Sequence, residues 1–166
     1  VREILEVLAR DGQATAERIA TMTGIPEETV RERIAAWEDA GVIRRYKAVV
    51  DWDKYNSSNP DDLPETITAF IDVSIAPARG VGFDDVAERI SRFPEVRSVY
   101  LVSGGHDLRC TITGTSLREV SEFVSQKLST IDRVHSTATH FVLKVYKRDG
   151  DAFHEPEPDH RLPVMP

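Results

Sequence analysis

A single cysteine, Cys110, occurs in the 166 residues, so the chain forms no internal disulfide and offers no cysteine cluster for zinc. No apolar run approaches the roughly 20 residues that span a bilayer, so no membrane partner is expected. No charged-then-apolar leader opens the sequence, and a reducing, cytoplasmic location is the expectation. The chain starts at Val1 rather than Met, and a short leading piece is expected to be missing. Excess positive charge is lacking too. The net charge is −7, which argues against indiscriminate nucleic-acid binding, since that rests on a strong positive field. The acidity is uneven: residues 1–50 hold eight Arg or Lys against nine Asp or Glu, so a local basic patch there stays open.

No catalytic constellation stands out either. His135 and His140 lie five positions apart on an expected strand and point to opposite faces. His106 beside Asp107 has no nucleophile at fixed spacing. His154, Asp159 and His160 fall in a segment with four of the nine prolines and read as solvated tail residues rather than metal ligands. The expectation is a non-enzyme without metal or cofactor.

What is present reads as two small domains. Over residues 1–51, Ile4, Leu5 and Leu8 follow Val1 at helical spacing up to Asp11-Gly12. Thr15 suits an N-cap for a second helix holding Ile19, Ala20 and Met22, which Gly24 ends. Pro26 suits the first turn of a third helix, where its missing N–H costs nothing. Val30, Ile34 and Trp37 form that helix's inner face, and Gly41 ends it. Residues 42–50 read as an extended, β-branched strand. Residues 52–65 have the turn-forming composition of a linker.

Residues 66–147 change period. Ile67, Ala69, Ile71, Val73 and Ile75 alternate as in a half-buried strand, and Cys110 alternates with Leu108 and Ile112 as a buried strand residue. Phe83, Val86, Ala87 and Ile90 share a helical face, as do Leu117, Val120, Val124 and Leu128. Strands are expected over 96–103, 107–113 and 134–146. The order is βαββαβ, a ferredoxin-like α+β pattern. Residues 148–166 read as a Pro-rich acidic tail.

Asp11-Gly12, Ile19-Ala20, Gly24-Ile25, Thr29-Val30, Arg33-Ile34, Glu38 and residues 41–51, followed by the βαββαβ segment with its Gly104 to Asp107 turn, are similar to the Lrp/AsnC family. The resemblance covers residues 1–147. It implies a winged helix-turn-helix that binds double-stranded DNA, and a ferredoxin-like domain that forms homodimers or higher oligomers and senses a small molecule, often an amino acid.

On the third helix, Glu28, Thr29, Glu32 and Ala36 turn outward, flanked by Arg31 and Arg33. The family usually carries small polar and basic residues where Glu28 and Glu32 stand. Glutamate can accept from cytosine N4; Glu27 and Glu28 can equally well stabilise a helix N-terminus. Arg44, Arg45 and Lys47 are the densest basic group of the first domain and suit phosphate contact. In the second domain Ser103, Gly104, Gly105, His106 and Asp107 suit a zwitterion, with Asp107 facing the ammonium and backbone N–H groups the carboxylate. The resemblance adds Thr137 and Thr139 as neighbours. The same turn also reads as a plain hairpin connection. Two other functions remain open: a tetrapyrrole enzyme like the sirohaem decarboxylases, using Arg44, Arg45, Tyr46 and Lys47, or a sensing scaffold with weakened DNA binding.

Overall fold

The computed structural model describes residues 1–61, 66–78, 80 and 82–153. The chain divides into two compact units, Val1–Asp51 and Trp52–Pro166. In the first, α1 (Arg2–Arg10) gives way to a turn in which Asp11 accepts from the Gln13 amide at 3.0 Å and holds Arg18 Nη1 at 2.7 Å. Thr15 caps α2 (Ala16–Thr23) by accepting from the Arg18 amide at 3.2 Å. Gly24, at φ +71°, closes α2, as only glycine does without strain. Pro26 stands at the N-cap of α3 (Glu27–Asp39).

Ile4, Ala14, Ile19 and Val30 form the buried centre of this unit, with Ile34 and Trp37 packed against it. Two expected inner residues lie outside. Met22 is 60% exposed, because the short α2 has room for Ile19 and Ala20 against the core but turns its next apolar residue away. Val1 precedes the first helical turn and is exposed as well. The strand expected over 42–50 has no ladder partner among the described residues. The amides of Val42 and Ile43 both donate to the Trp37 carbonyl, and the chain then runs on without sheet pairing. β-branched composition favours extended backbone, but a strand also needs a neighbour.

The second unit opens with α4 (Trp52–Ser58), a helix where composition predicts a linker. Trp52 and Tyr55 meet edge-on at 6.0 Å, and Ser57, Ser58 and Asn59 bond back to carbonyls four residues earlier. Those polar side chains thus satisfy helical carbonyls instead of forming turns. Then follow β1 (Ile67–Ile75), α5 (Asp84–Ser91), β2 (Val96–Leu101), β3 (Leu108–Gly114), α6 (Leu117–Glu122, continuing as a wider π-turn over Phe123–Leu128) and β4 (Val134–Phe141). The four strands form one antiparallel sheet in the order β2-β3-β1-β4, the ferredoxin-like arrangement. The last strand ends at Phe141, not at 146: the Val142 amide still donates to the Thr68 carbonyl at 2.9 Å, and β1 itself starts one residue earlier, at Ile67, so no ladder reaches 146. Within the expected tail, β5 (Lys147–Arg148) and β6 (Asp151–Ala152) make a small hairpin; residues 154–166, with the histidines noted above, lie outside the described residues.

The two faces of this sheet differ. Ala69, Ile71, Val73, Leu108, Cys110 and Ile112 point to the side covered by α5 and α6, where Val86, Ile90, Val120, Phe123 and Leu128 meet them. Burial pushes the Cys110 thiol pKa up to about 12, with the charge of Asp72 adding to the effect. The opposite face holds Phe70, Asp72 and Ser74 of β1, Tyr100 of β2, Arg109 and Thr111 of β3, and His140 of β4, as the pairings Asp72↔Arg109, Phe70↔His140 and Tyr100↔Arg109 require. Phe70, Tyr100 and neighbouring Leu101 are exposed.

Candidate functional site

On that second face, where β2 and β3 meet their connecting turn, lies an open pocket of about 480 Å³ lined by Asp72, Leu101, Val102, Ser103, Gly105, His106 and Arg109. The volume suits a small molecule. The turn is held from below: the Val102 amide donates to the Asp107 carbonyl at 2.9 Å and the Asp107 amide to the Val73 carbonyl at 3.0 Å. Asp107 Oδ2 accepts from the Ile75 amide at 2.7 Å, so its carboxylate ties the turn to β1. His106 Nδ1 lies 3.1 Å from Ser74 Oγ. Gly104 has φ +128° and is exposed, so glycine is needed at this point of the turn.

The pocket's polar wall is an ion pair that sequence reasoning did not single out. Asp72 is 4% exposed. Its carboxylate takes Arg109 Nε at 2.7 Å and Nη2 at 2.9 Å, and His140 Nε2 stands 3.4 Å from Oδ2. The Arg109 hydrogen bonds hold the Asp72 pKa below its ordinary value, outweighing the opposing effect of burial; the same pairing raises that of Arg109. The Arg109 side chain remains 52% exposed. Its Nη1 has no partner among the described residues. A lone acid between Ile71 and Val73 was the available signal, since a charge inside a strand needs a partner.

Of the residues expected around the effector, Ser103, Gly105 and His106 line this pocket. Gly104 shapes the turn and Asp107 anchors it. Thr137 and Thr139 do not join them: pairing opposite Val73 and Ile71 puts them on the helix-covered face, because partners in an antiparallel ladder share a face.

In the first unit, Glu28 and Glu32 are exposed on α3 and have no cationic partner among the described residues, with Thr29 half-buried beside them. Arg31 bends to Glu27, Nε to Oε1 at 3.0 Å, so it is already engaged along the helix. Arg33, Arg44, Arg45 and Lys47 are exposed and bind no carboxylate among the described residues. Tyr46 donates its hydroxyl to Glu38 Oε1 at 2.8 Å. Its pKa lies above the ordinary value, through burial first and the Glu38 contact second. That is the wrong direction for a proton donor near neutrality. Among the described residues no group of acidic, His and Cys side chains could hold a metal ion, and no helix is long and apolar enough to cross a membrane.

Residues 2–38 match the family model of the AsnC-type helix-turn-helix domain, and residues 68–152 that of the Lrp/AsnC ligand binding domain. The chain is 51% identical over 164 residues to the HTH-type transcriptional regulator YugG of Bacillus subtilis, covering 99% of this chain and 95% of that one. Its fold is similar to a transcriptional regulator of Neisseria meningitidis solved with L-methionine, at TM-score 0.63 and 26% identity over 93% of this chain and 92% of the other. It is likewise similar to a feast or famine regulatory protein of Mycobacterium tuberculosis, also solved with L-methionine, at TM-score 0.69 and 24% identity over 93% and 96%.

Proposed function

The chain belongs to the Lrp/AsnC family of HTH-type transcriptional regulators, and from that premise we propose that it binds specific double-stranded sites through residues 1–51 and adjusts that binding to an amino-acid effector held by residues 66–147. Residues 52–65 join the two, and residues 148–166 stand outside both roles. The enzyme alternative has no support: the relatives are regulators, and Tyr46 is committed to Glu38. The observation that carries the effector reading is the pocket at the Ser103–Asp107 turn, of small-molecule size and with an ion pair in its wall. The two similar regulators solved with L-methionine support an amino acid as the class.

On the DNA side, the outward residues Glu28, Thr29, Glu32 and Arg33 of α3 face the base edges, with Arg31 restrained by Glu27. Arg44, Arg45 and Lys47 neutralise phosphates beside the groove. Two copies, or a higher assembly, pair through the open sheet face, which leaves Phe70 and Tyr100 exposed in the single chain. The protein works in the cytoplasm, where its DNA is.

Genomic footprinting with and without each of the common amino acids tests this reading. A set of specific sites whose occupancy changes with one amino acid is the expected outcome. Sites without any response would remove the effector. No sites at all would favour a sensing scaffold, the reading that the unpaired Glu28 and Glu32 would then explain.

A further inference from the structure

We propose, on the reading that Arg44, Arg45 and Lys47 meet DNA phosphates, that Tyr46 is their positioning residue. Its side chain latches the basic run onto the helix-turn-helix, at Glu38 and at the turn around Gly12, and so holds the three cations in place before DNA arrives.

After Gly41 the chain has little else to hold it. The Val42 and Ile43 amides donate to the Trp37 carbonyl at 2.8 and 3.0 Å, and residues 44–50 join no ladder among the described residues. Over those residues the Tyr46 hydroxyl makes the one hydrogen bond among the described residues, to Glu38 Oε1 at 2.8 Å. A phenol donating to a carboxylate is a charge-assisted bond, stronger than one between neutral groups. The ring adds a second point of attachment: a Cβ on Gly12 would stand 3.5 Å from Tyr46 Cδ1 and 3.9 Å from its Cβ. Tyr46 thus reaches the α1–α2 turn and the last turn of α3 together, and at 47% exposure about half of its surface is covered.

The latch sits inside the basic run, with Arg44 and Arg45 before it and Lys47 after it. None of the three binds a carboxylate among the described residues. Glu38, the carboxylate within reach of Tyr46, is met by a neutral hydroxyl instead of a cation. The run is therefore held without neutralising any of its charge, whereas a tether through Arg45 or Lys47 would have taken a charge from the surface that DNA meets. Long cationic side chains on an unheld segment must be ordered at the moment of binding, which lowers affinity; a segment fixed beforehand avoids that loss.

The test is titration of the full chain with a duplex selected from random sequence by the wild type and with a scrambled duplex, each at two salt concentrations. Tyr46→Phe keeps the ring over Gly12 and removes the hydroxyl, and both affinities should fall roughly fivefold. That loss should vanish when Arg44, Arg45 and Lys47 are all replaced by Ala, because nothing is left to position. A loss of the same size in the triple-alanine background would mean that Tyr46 acts on the fold at large, and overturns the proposal. Glu38→Gln and Glu38→Leu remove the same charge, but only the first keeps an acceptor, so it should bind the more tightly. These two variants share every cleavage site and should differ without DNA as well: trypsin should cut after Arg44, Arg45 and Lys47 several times faster in Glu38→Leu, and after Arg10 at the same rate in both. A Tyr46→Phe variant that binds as wild type, or equal cutting in the Glu38 pair, overturns the latch while the triple-alanine loss keeps the run on the DNA surface. A triple-alanine variant with wild-type affinity and salt slope overturns that underlying reading instead, and the positioning role falls with it; wild type that binds neither duplex at low salt does the same.

Discussion

Arginine is used in two ways in the two units. Arg33, Arg44 and Arg45 in the first are exposed and bind no carboxylate among the described residues. Arg109 in the second is gripped along one edge by a buried Asp72. A free guanidinium on a long stem can follow a repeating polyanion, where many weak interactions share the load and alignment comes from elsewhere. A gripped one gives up that adaptability and gains a fixed direction. The side chain is the same; what differs is the carboxylate beneath it.

The comparison can be broken most severely at Asp107. Asp107→Ala leaves the part-buried Ile75 amide without its acceptor, and a loss of about 1–3 kcal/mol in stability is expected by chemical denaturation. Asp107→Asn keeps an oxygen there and should lose much less. Were Asp107 instead an ammonium partner, the two variants would lose effector binding equally with stability intact.

Next in size is the double variant Arg44→Ala/Arg45→Ala. If each free arginine neutralises one phosphate, the slope of log K against log salt should fall by about 0.9 for each phosphate left without its arginine. Over a fourfold salt range that makes binding to a selected site roughly tenfold less salt-sensitive, and a scrambled site should change in parallel. An unchanged slope would remove these residues from the DNA surface.

Acid titration sharpens the other half of the comparison. The folded-state pKa of Asp72 is depressed by Arg109, so its contribution to stability is present above the ordinary aspartate value near 3.8 and is lost as pH falls through the lower folded value. Asp72→Asn should flatten the stability profile in that acidic window and leave its shape unchanged at neutral pH. The smallest effect is expected at Glu32. Its charge stands one turn from Glu28, and the Arg31 between them in sequence bends to Glu27 instead, so Glu32→Ala should stabilise the first unit by a few tenths of a kcal/mol. The same variant should raise affinity for a scrambled DNA site, unless Glu32 reads a cytosine, in which case preference at one base pair relaxes.

Much of this was legible in the sequence because it is local. Thr15, Gly24 and Gly41 mark helix ends by chemistry that acts within a few residues, and the alternation from Ile67 to Ile75 names the buried side of β1 without help. The ion pair was not legible in the same way. Asp72 and Arg109 stand 37 positions apart, and only the register of β1 against β3 brings them together. Thr137 and Thr139 failed for the mirror reason: β4 has Thr137 and Thr139 on one parity, Ser136 and Ala138 on the other and a histidine on each, so composition does not say which side faces the helices. Residues 42–50 show a further limit of local signals, since β-branched residues straighten a chain but a ladder needs a second strand.

The buried thiol at Cys110 also makes the chain a convenient optical object. With its pKa pushed to about 12 and no exposed surface, it stays protonated and shielded from maleimides at neutral pH. Any cysteine introduced at an exposed position, on α3 or at Ser103, would be the one reactive handle in the molecule. A fluorophore placed there would report on DNA or on the pocket with the native residue left in place.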